Sequence, residues 1–185
     1  MSVSDILFIA VALSMDAFGV TLTNGMIYKK DSWAKRLLMP LFFACFQAIM
    51  PLTGYYVGSF FVEYIYRWSK YILFTVFFVI GLKMLIDGIK ELRNPSEKEI
   101  CKSLPVKAVV FQAFATSIDA LAVGVGFSLE ENMNIFISVM LIGLVTFILC
   151  LTALFIGRKF GDILGTKSPF AGAAILFFIA VKSLL

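Results

Sequence analysis

Long apolar runs separated by short polar segments form the main pattern along this chain. A helix of about 20 apolar residues crosses the hydrocarbon core of a bilayer, and six runs approach that length. They do not alternate as membrane-barrel strands do, and only helices or closed barrels satisfy their backbone hydrogen bonds in lipid. The pattern therefore predicts an all-α membrane protein with six transmembrane helices, at roughly Asp5–Met26, Leu37–Phe61, Trp68–Gly88, Leu104–Leu129, Ile135–Ile156 and Phe170–Leu184.

The composition supports this prediction and removes several other classes of protein. Hydrophobic residues make up 61% of the 185 positions and charged residues 15%, with a mean hydropathy of +0.96. A soluble domain carries about 25% charged residues to cover its surface. The chain contains no histidine, which excludes Ser-His-Asp triads and histidine-rich metal sites. We therefore expect a single transmembrane domain, residues 1–185, embedded in a lipid bilayer.

Basic residues are concentrated on alternate connections between the predicted spans. The connections after spans one, three and five carry twelve of the sixteen Lys and Arg residues, whereas the opposite side carries Arg67 and Lys70, with Lys182 near the C-terminus. Cytoplasmic loops collect positive charge, so both termini are predicted to lie outside. No basic face is interleaved with aromatic residues, and we expect no nucleic acid partner.

The two halves of the chain resemble each other. An offset of 103 residues carries Ser14-Met15-Asp16-Ala17 onto Ser117-Ile118-Asp119-Ala120, and it also carries Gly54 onto Gly157 and Gly58 onto Gly161. An offset of 99 residues carries Ile80-Gly81-Leu82-Lys83 onto Ile179-Ala180-Val181-Lys182.

This internal repeat predicts an inverted architecture. Three spans are an odd number, so the second copy must enter the membrane in the opposite direction, as in many secondary transporters. The predicted organisation is repeat 1 at about residues 1–92, a cytoplasmic linker at about 90–104 and repeat 2 at about 104–185. Gly54-x-x-x-Gly58 and Gly157-x-x-x-Gly161 are interpreted as small-residue surfaces for helix packing.

Two acidic residues lie in the middle of predicted spans. Asp16 is central in span one and Asp119 is central in span four, where an aspartate costs about 2.5–3.5 kcal/mol on insertion scales. Such a cost indicates a functional site, although an aspartate that bonds a helix terminus is a structural alternative. Oxygen-bearing residues at helical spacing or in a neighbouring span extend the candidate site, namely Asn24, Gln47, Gln112 and Thr116.

An oxygen-rich set of this kind suits Mg²⁺, Ca²⁺ or Mn²⁺ better than softer metals. For each of the neutral residues, an interhelical hydrogen bond is an equally good interpretation. The absence of a nucleotide-binding motif favours an ion gradient as the energy source. Two close carboxylates without metal are expected to hold a proton that metal binding releases, so Asp16 and Asp119 are also the candidates for proton coupling.

The chain resembles the small bacterial manganese efflux pumps, which are six-span proteins built of two three-helix repeats. The resemblance is carried by five segments, Leu13-Ser14-Met15-Asp16-Ala17-Phe18, Phe46-Gln47-Ala48-x-x-Pro51-Leu52-x-Gly54-Tyr55, Gly81-Leu82-Lys83-Met84, Ala115 to Gly126, and Ile156-Gly157-Arg158-Lys159-Phe160-Gly161. It implies a multi-pass protein of the bacterial cell membrane that exports Mn²⁺ from the cytoplasm. Manganese would be the transported substrate, and no cofactor is expected.

Several alternatives remain open from the residues alone. An exporter of another cation or of a cationic amino acid would need a similar acidic site. An intramembrane aspartyl protease also uses two membrane-embedded aspartates, but the Gly-x-Gly-Asp context of those enzymes is absent around Asp119. A membrane scaffold without transport activity would leave the symmetric acids unexplained. The sequence leaves the oligomeric state open.

Overall fold

Helices account for all the regular secondary structure in the part of the chain that the computed structural model describes. The described residues are 3–28, 31–57, 71, 74–83, 85–86, 88–89, 104–128, 130, 134–164 and 167–182. The helices are α1 (Val3–Ile27), α2 (Trp33–Val57), α3 (Phe74–Lys83), α4 (Val106–Thr116), α5 (Ile118–Ser128), α6 (Ile135–Leu164) and α7 (Ser168–Lys182). The predicted all-α class is confirmed.

Four helical segments are long and apolar enough to cross a membrane. They are α1, α2, the consecutive pair α4 and α5, and α6. The third and sixth predicted spans coincide with α3 and α7, which are apolar but shorter. Among the residues singled out in the sequence, those outside the described residues are Gly58, Arg67, Lys70, Met84 and most of the linker at about 90–104.

Two differences between the predicted and the observed helix bounds bear on the arrangement of the bundle. The fourth span is interrupted at Ser117, which separates α4 from α5. Helix α6 continues to Leu164, eight residues beyond the predicted end, and its last turns pack against α1. There Gly157 approaches the carbonyl of Leu22, and Gly161 approaches Met26. Hydropathy alone did not include this last part of α6 in the predicted span, because its residues are too polar.

Two close helix crossings hold the bundle together, and glycines make both possible. At the crossing of α1 and α6, a Cβ on Gly157 would collide with the carbonyl of Leu22. At the crossing of α2 and α5, a Cβ on Gly124 would collide with the carbonyl of Pro51 in the same way. Small residues at such points let two helix backbones approach closely, which is how helices associate in membranes.

The bundle has an apolar interior and an apolar exterior. One buried cluster joins α1, α2, α3, α4, α6 and α7 and includes Phe43, Phe77 and Leu176. The outward-facing side chains are apolar as well, and Phe8 and Met140 are 78% and 75% exposed. A soluble protein rarely exposes so many large apolar residues, so these surfaces are suited to contact with lipid.

Candidate metal site

The two acidic side chains that the sequence singles out lie near each other. Asp16 lies in the middle of α1, and its side chain is 25% exposed. Asp119 lies in the first turn of α5 and is also partly buried. Each carboxylate is within electrostatic range of the other. The fold therefore brings together two acids that are 103 residues apart in the sequence.

The helix break at Ser117 positions Asp119. Ser117 leaves helical geometry at φ −99° and ψ 3°, and its amide donates to the carbonyl of Phe114 at 3.2 Å. The carbonyl of Ala113 instead accepts the Ser117 hydroxyl at 2.5 Å. Serine and threonine hydroxyls that bond back to the helix backbone commonly bend or interrupt helices. The break makes Asp119 the second residue of a new helix.

The carboxylate of Asp119 is oriented by the start of α5. Its Oδ1 accepts the amide of Ala120 at 2.8 Å. The positive end of a helix dipole stabilises a carboxylate in the first turn. This is the structural role that the sequence left as an alternative for such an acid. An ionised carboxylate has about four acceptor positions, so this contact leaves capacity for a cation.

Asp16 faces a different partner, the ammonium group of Lys182 at the end of α7. The Lys182 Nζ lies 3.9 Å from the Asp16 Oδ1, and the lysine side chain is 61% exposed. The two helices are held against each other near this point, because Ile179 of α7 packs on Gly19 of α1. The ammonium group is also within electrostatic range of Asp119. The sequence placed Lys182 in the internal repeat and in the charge balance of the loops, but not among the site residues.

Gln47 contributes a buried oxygen close to Asp16 along α1. Its Nε2 donates to the carbonyl of Leu13 at 2.8 Å, one turn before Asp16, and the residue is fully buried. The Oε1 of the same amide has no hydrogen-bond partner. A buried acceptor left without a partner costs about 1–3 kcal/mol. A cation or water that this oxygen could coordinate would offset that cost.

Two hydroxyl groups join α1 to α6 beside the acids. The hydroxyls of Ser14 and Thr146 lie 2.7 Å apart, and both side chains are fully buried. One hydroxyl donates to the other, and each also has a carbonyl of its own helix within hydrogen-bond distance, Ala10 for Ser14 and Ile142 for Thr146. Sequence reasoning did not propose Ser14 as a site residue, although its position in the repeated motif was a signal.

Two of the remaining predicted donors, Asn24 and Gln112, form a second polar group farther along the bundle. Asn24 Nδ2 donates to Gln112 Oε1 at 2.8 Å, and both residues are buried. Asn24 is eight residues beyond Asp16, or about 12 Å along the helix axis. The Thr116 hydroxyl donates to the carbonyls of Gln112 and Ala113 within its own helix. The structure therefore pairs Asn24 with Gln112 rather than placing both amides beside the acids.

The oxygen donors of this candidate site suit a hard cation. No group of three or more His, Cys, Asp or Glu residues is present in the described part of the chain. The two carboxylates match the charge of one divalent ion, and the remaining oxygens are neutral amides and hydroxyls. Oxygen donors of this kind favour Mg²⁺, Ca²⁺ and Mn²⁺ over metals that prefer sulfur.

The fold and the site together define a multi-pass helical membrane protein with ionisable residues within its spans. Such residues mark ion and substrate pathways in membrane proteins. Comparison with known proteins gives the family: the sequence model described as "Putative manganese efflux pump" matches residues 30–184. The chain belongs to this family, which is a family of transporters rather than enzymes.

Relatives match this chain over nearly its whole length. "Putative manganese efflux pump MntP" of Ruminiclostridium cellulolyticum is 41% identical over 184 residues, which cover 98% of this chain and 95% of the relative. The protein of the same name from Gloeothece citriformis is 41% identical, with 96% and 92% covered. That from Methanobrevibacter smithii is 38% identical, with 100% and 97% covered. No solved structure matches the chain.

Proposed function

We propose that this protein is a secondary transporter that exports Mn²⁺ from the cytoplasm. The observation that carries the proposal is the pair of carboxylates, Asp16 and Asp119, which lie within electrostatic range of each other among apolar helices. The names of the relatives support manganese as the substrate. In this proposal the ion binds between the two carboxylates, which neutralise its charge within the membrane.

Neutral oxygens complete the proposed coordination of the ion. The unpartnered Oε1 of Gln47 is the first of these, because its amide is anchored one turn from Asp16. The Thr116 hydroxyl donates its proton to backbone carbonyls and keeps its lone pairs for a cation. We propose that Asn24 and Gln112 form a separate polar contact for the ion, on its path between the end of α1 and the acids.

An inverted repeat explains how access to such a site would alternate. Helix α1 of the first half packs on α6 of the second, and α2 of the first half packs on α5 of the second. Exchanging the halves turns one crossing into the other, with Gly54 and Gly157 in corresponding places. This crosswise packing supports two inverted three-helix repeats that rock against each other about a central site.

We further propose that protons drive the export. Two carboxylates in an apolar site would repel each other without metal, so a proton would replace the departing ion. Purified protein in liposomes tests the coupling. An inward-directed proton gradient should accelerate Mn²⁺ efflux, and each transported ion should bring protons into the vesicle. Flux that is indifferent to the proton gradient would refute this coupling.

The proposed orientation has both termini outside and the linker at about 90–104 in the cytoplasm. Cysteine labelling of intact cells tests it. In a Cys101→Ser background, the Glu130→Cys variant should react with a membrane-impermeant thiol reagent. Native Cys101 should react only after the cells are permeabilised. The reverse pattern would invert the proposed topology and the direction of transport.

The central test is metal flux through the purified protein. Liposomes that contain the protein should exchange radioactive Mn²⁺ faster than empty liposomes, and unlabelled Mn²⁺ should compete. Mg²⁺, Ca²⁺ and lysine serve as competitors that address the rival cations and a cationic amino acid. Folded protein that moves no Mn²⁺ but moves one of these competitors would overturn the proposed substrate.

A further inference from the structure

One cation of the protein itself already lies at the proposed metal site. The Nζ of Lys182 is 3.9 Å from the Oδ1 of Asp16 and within electrostatic range of Asp119. That separation is too long for a direct hydrogen bond, so the attraction is electrostatic. The ammonium group therefore stands near both carboxylates, where a transported dication would also have to bind.

The internal repeat predicts an equivalent lysine in the first half, but among the described residues only Lys182 of the two lies beside an acid. Lys83 corresponds to Lys182 at the offset of 99 residues. Helix α3, which carries Lys83, packs on α7, where Gly81 lies against Phe177. No carboxylate of the described residues lies within ion-pair distance of Lys83. The two lysines are matched in sequence position and differ in what they contact.

We propose that Lys182 is a built-in competitor of the metal ion, a positioning residue that balances charge at Asp16 when no ion is bound and is displaced when one binds. This inference rests on the proposed function. The pair is suited to displacement because its 3.9 Å separation is longer than a hydrogen bond and the lysine side chain, 61% exposed, is not enclosed by the bundle. After displacement, the same ammonium group can return to Asp16 and assist release of the ion.

The proposal makes an unusual prediction, because removing a residue beside the site should strengthen binding. Purified Lys182→Met should bind Mn²⁺ about fivefold more tightly than the natural protein, the factor that corresponds to about 1 kcal/mol. In liposomes its KM should fall with the dissociation constant, and its maximal rate should fall because the ion leaves more slowly. Lys182→Arg should retain the natural values of both.

Lys83→Met is the matched control, since it removes the corresponding charge from a residue that does not face the acids. Its Mn²⁺ affinity and its flux should equal those of the natural protein. Thermal unfolding of each variant in detergent separates a folding defect from a change at the site. A purely structural role for Lys182 would lower the unfolding temperature and weaken binding.

The outcomes distinguish this inference from the function on which it rests. Natural protein that neither binds nor transports Mn²⁺ would overturn the proposed function and this inference with it. Natural protein that binds Mn²⁺, beside a Lys182→Met variant of equal or weaker affinity, would overturn only the role of Lys182. An equal gain in affinity in Lys83→Met would also overturn it, because the effect would then be one of overall charge.

Discussion

The two segments that carry the acids share a motif and differ in backbone structure. Asp16 lies within the unbroken helix α1, whereas Asp119 follows a break and begins α5. The residue before the motif differs, since it is Leu13 in the first segment and Thr116 in the second. Thr116 and Ser117 together supply two hydroxyls that bond back to the carbonyls of α4.

The break gives the two carboxylates different partners. Asp119 is held by the backbone amide of Ala120, a contact that cannot move unless α5 moves. Asp16 instead has the long side chain of Lys182 on one side and the Gln47 amide one turn away. We infer that Asp119 is the fixed ligand of the proposed site and Asp16 the ligand that exchanges partners. Sequence symmetry therefore does not imply equal roles.

The largest expected effect tests what the two segments have in common. Asp16→Asn and Asp119→Asn each keep the size of the side chain but remove the charge that we propose binds the dication. Both variants should lose manganese export and manganese tolerance entirely while remaining inserted, since removing a charge from the membrane lowers its insertion cost. Retention of radioactive Mn²⁺ by cells that express each variant is the measurement.

The control for these variants is Asp162→Asn, which changes an exposed aspartate near the end of α6. It should export Mn²⁺ normally at an equal protein level. Full activity of either Asp16→Asn or Asp119→Asn, with the natural protein active in the same cells, would remove that residue from the site.

The next effect concerns the crossing behind Asp119. Gly124→Ala would place a methyl group against the carbonyl of Pro51, and backbone atoms cannot shift as easily as a flexible side chain. We expect a loss of about 1–3 kcal/mol in the free energy of unfolding, as in overpacked cores. Gly126→Ala, two residues away, adds its methyl group in open space and should change little. Denaturation in detergent measures both variants.

The same substitution at Gly157 compares the two close helix crossings. Its Cβ would meet the carbonyl of Leu22 as that of Gly124 meets Pro51. Gly157→Ala should therefore destabilise the protein by a similar amount. A stable Gly124→Ala variant with normal transport would contradict the close approach of α2 and α5.

The third effect tests the difference between the acids directly. Asp119→Glu moves the carboxylate away from the amide of Ala120, and a charge-assisted hydrogen bond contributes about 1.5–3 kcal/mol. We expect its transport rate to fall about tenfold or more. Asp16→Glu should lose less, because Lys182 has a flexible chain that can follow the longer acid. Flux at saturating Mn²⁺ compares the variants, and equal losses would contradict the assignment of fixed and exchanging ligands.

Hydropathy predicted most of the helices but neither the break nor the pairing of side chains. The first span, predicted at Asp5–Met26, is the helix Val3–Ile27, because a continuous apolar run has few ways to satisfy its backbone in lipid. The break at Ser117 depends on two hydroxyls competing with helix hydrogen bonds, which hydropathy does not measure. A threonine-serine pair directly before a central acid was the available signal.

The candidate site was predictable in kind and less so in its arrangement. A charged residue among apolar ones is conspicuous, which is why Asp16 and Asp119 could be identified. Helical spacing placed Asn24 on the face of Asp16. It could not show that Asn24, about 12 Å from Asp16 along the helix axis, would form a hydrogen bond with Gln112 instead. The contact of Lys182 with Asp16 depends on how α7 packs on α1, which no periodicity within one helix contains.

The smallest expected effect concerns Thr116, whose hydroxyl is both a candidate ligand and a partner of its own helix backbone. Thr116→Val keeps the shape of the side chain and removes the hydrogen bonds to Gln112 and Ala113. We expect Mn²⁺ flux to fall by less than about threefold, because one neutral oxygen contributes about 1 kcal/mol or less beside two carboxylates. Ser117 still bonds to Ala113 in this variant and should preserve the helix break.

The double change Thr116→Val with Ser117→Ala removes both hydroxyls. It should reduce flux far more than the sum of the single changes, because Asp119 then loses the helix start that orients it. Flux of the two single variants and the double variant decides the matter: a Thr116→Val variant as inactive as Asp119→Asn would make the hydroxyl a principal ligand, and strictly additive losses would mean that the two hydroxyls do not cause the break.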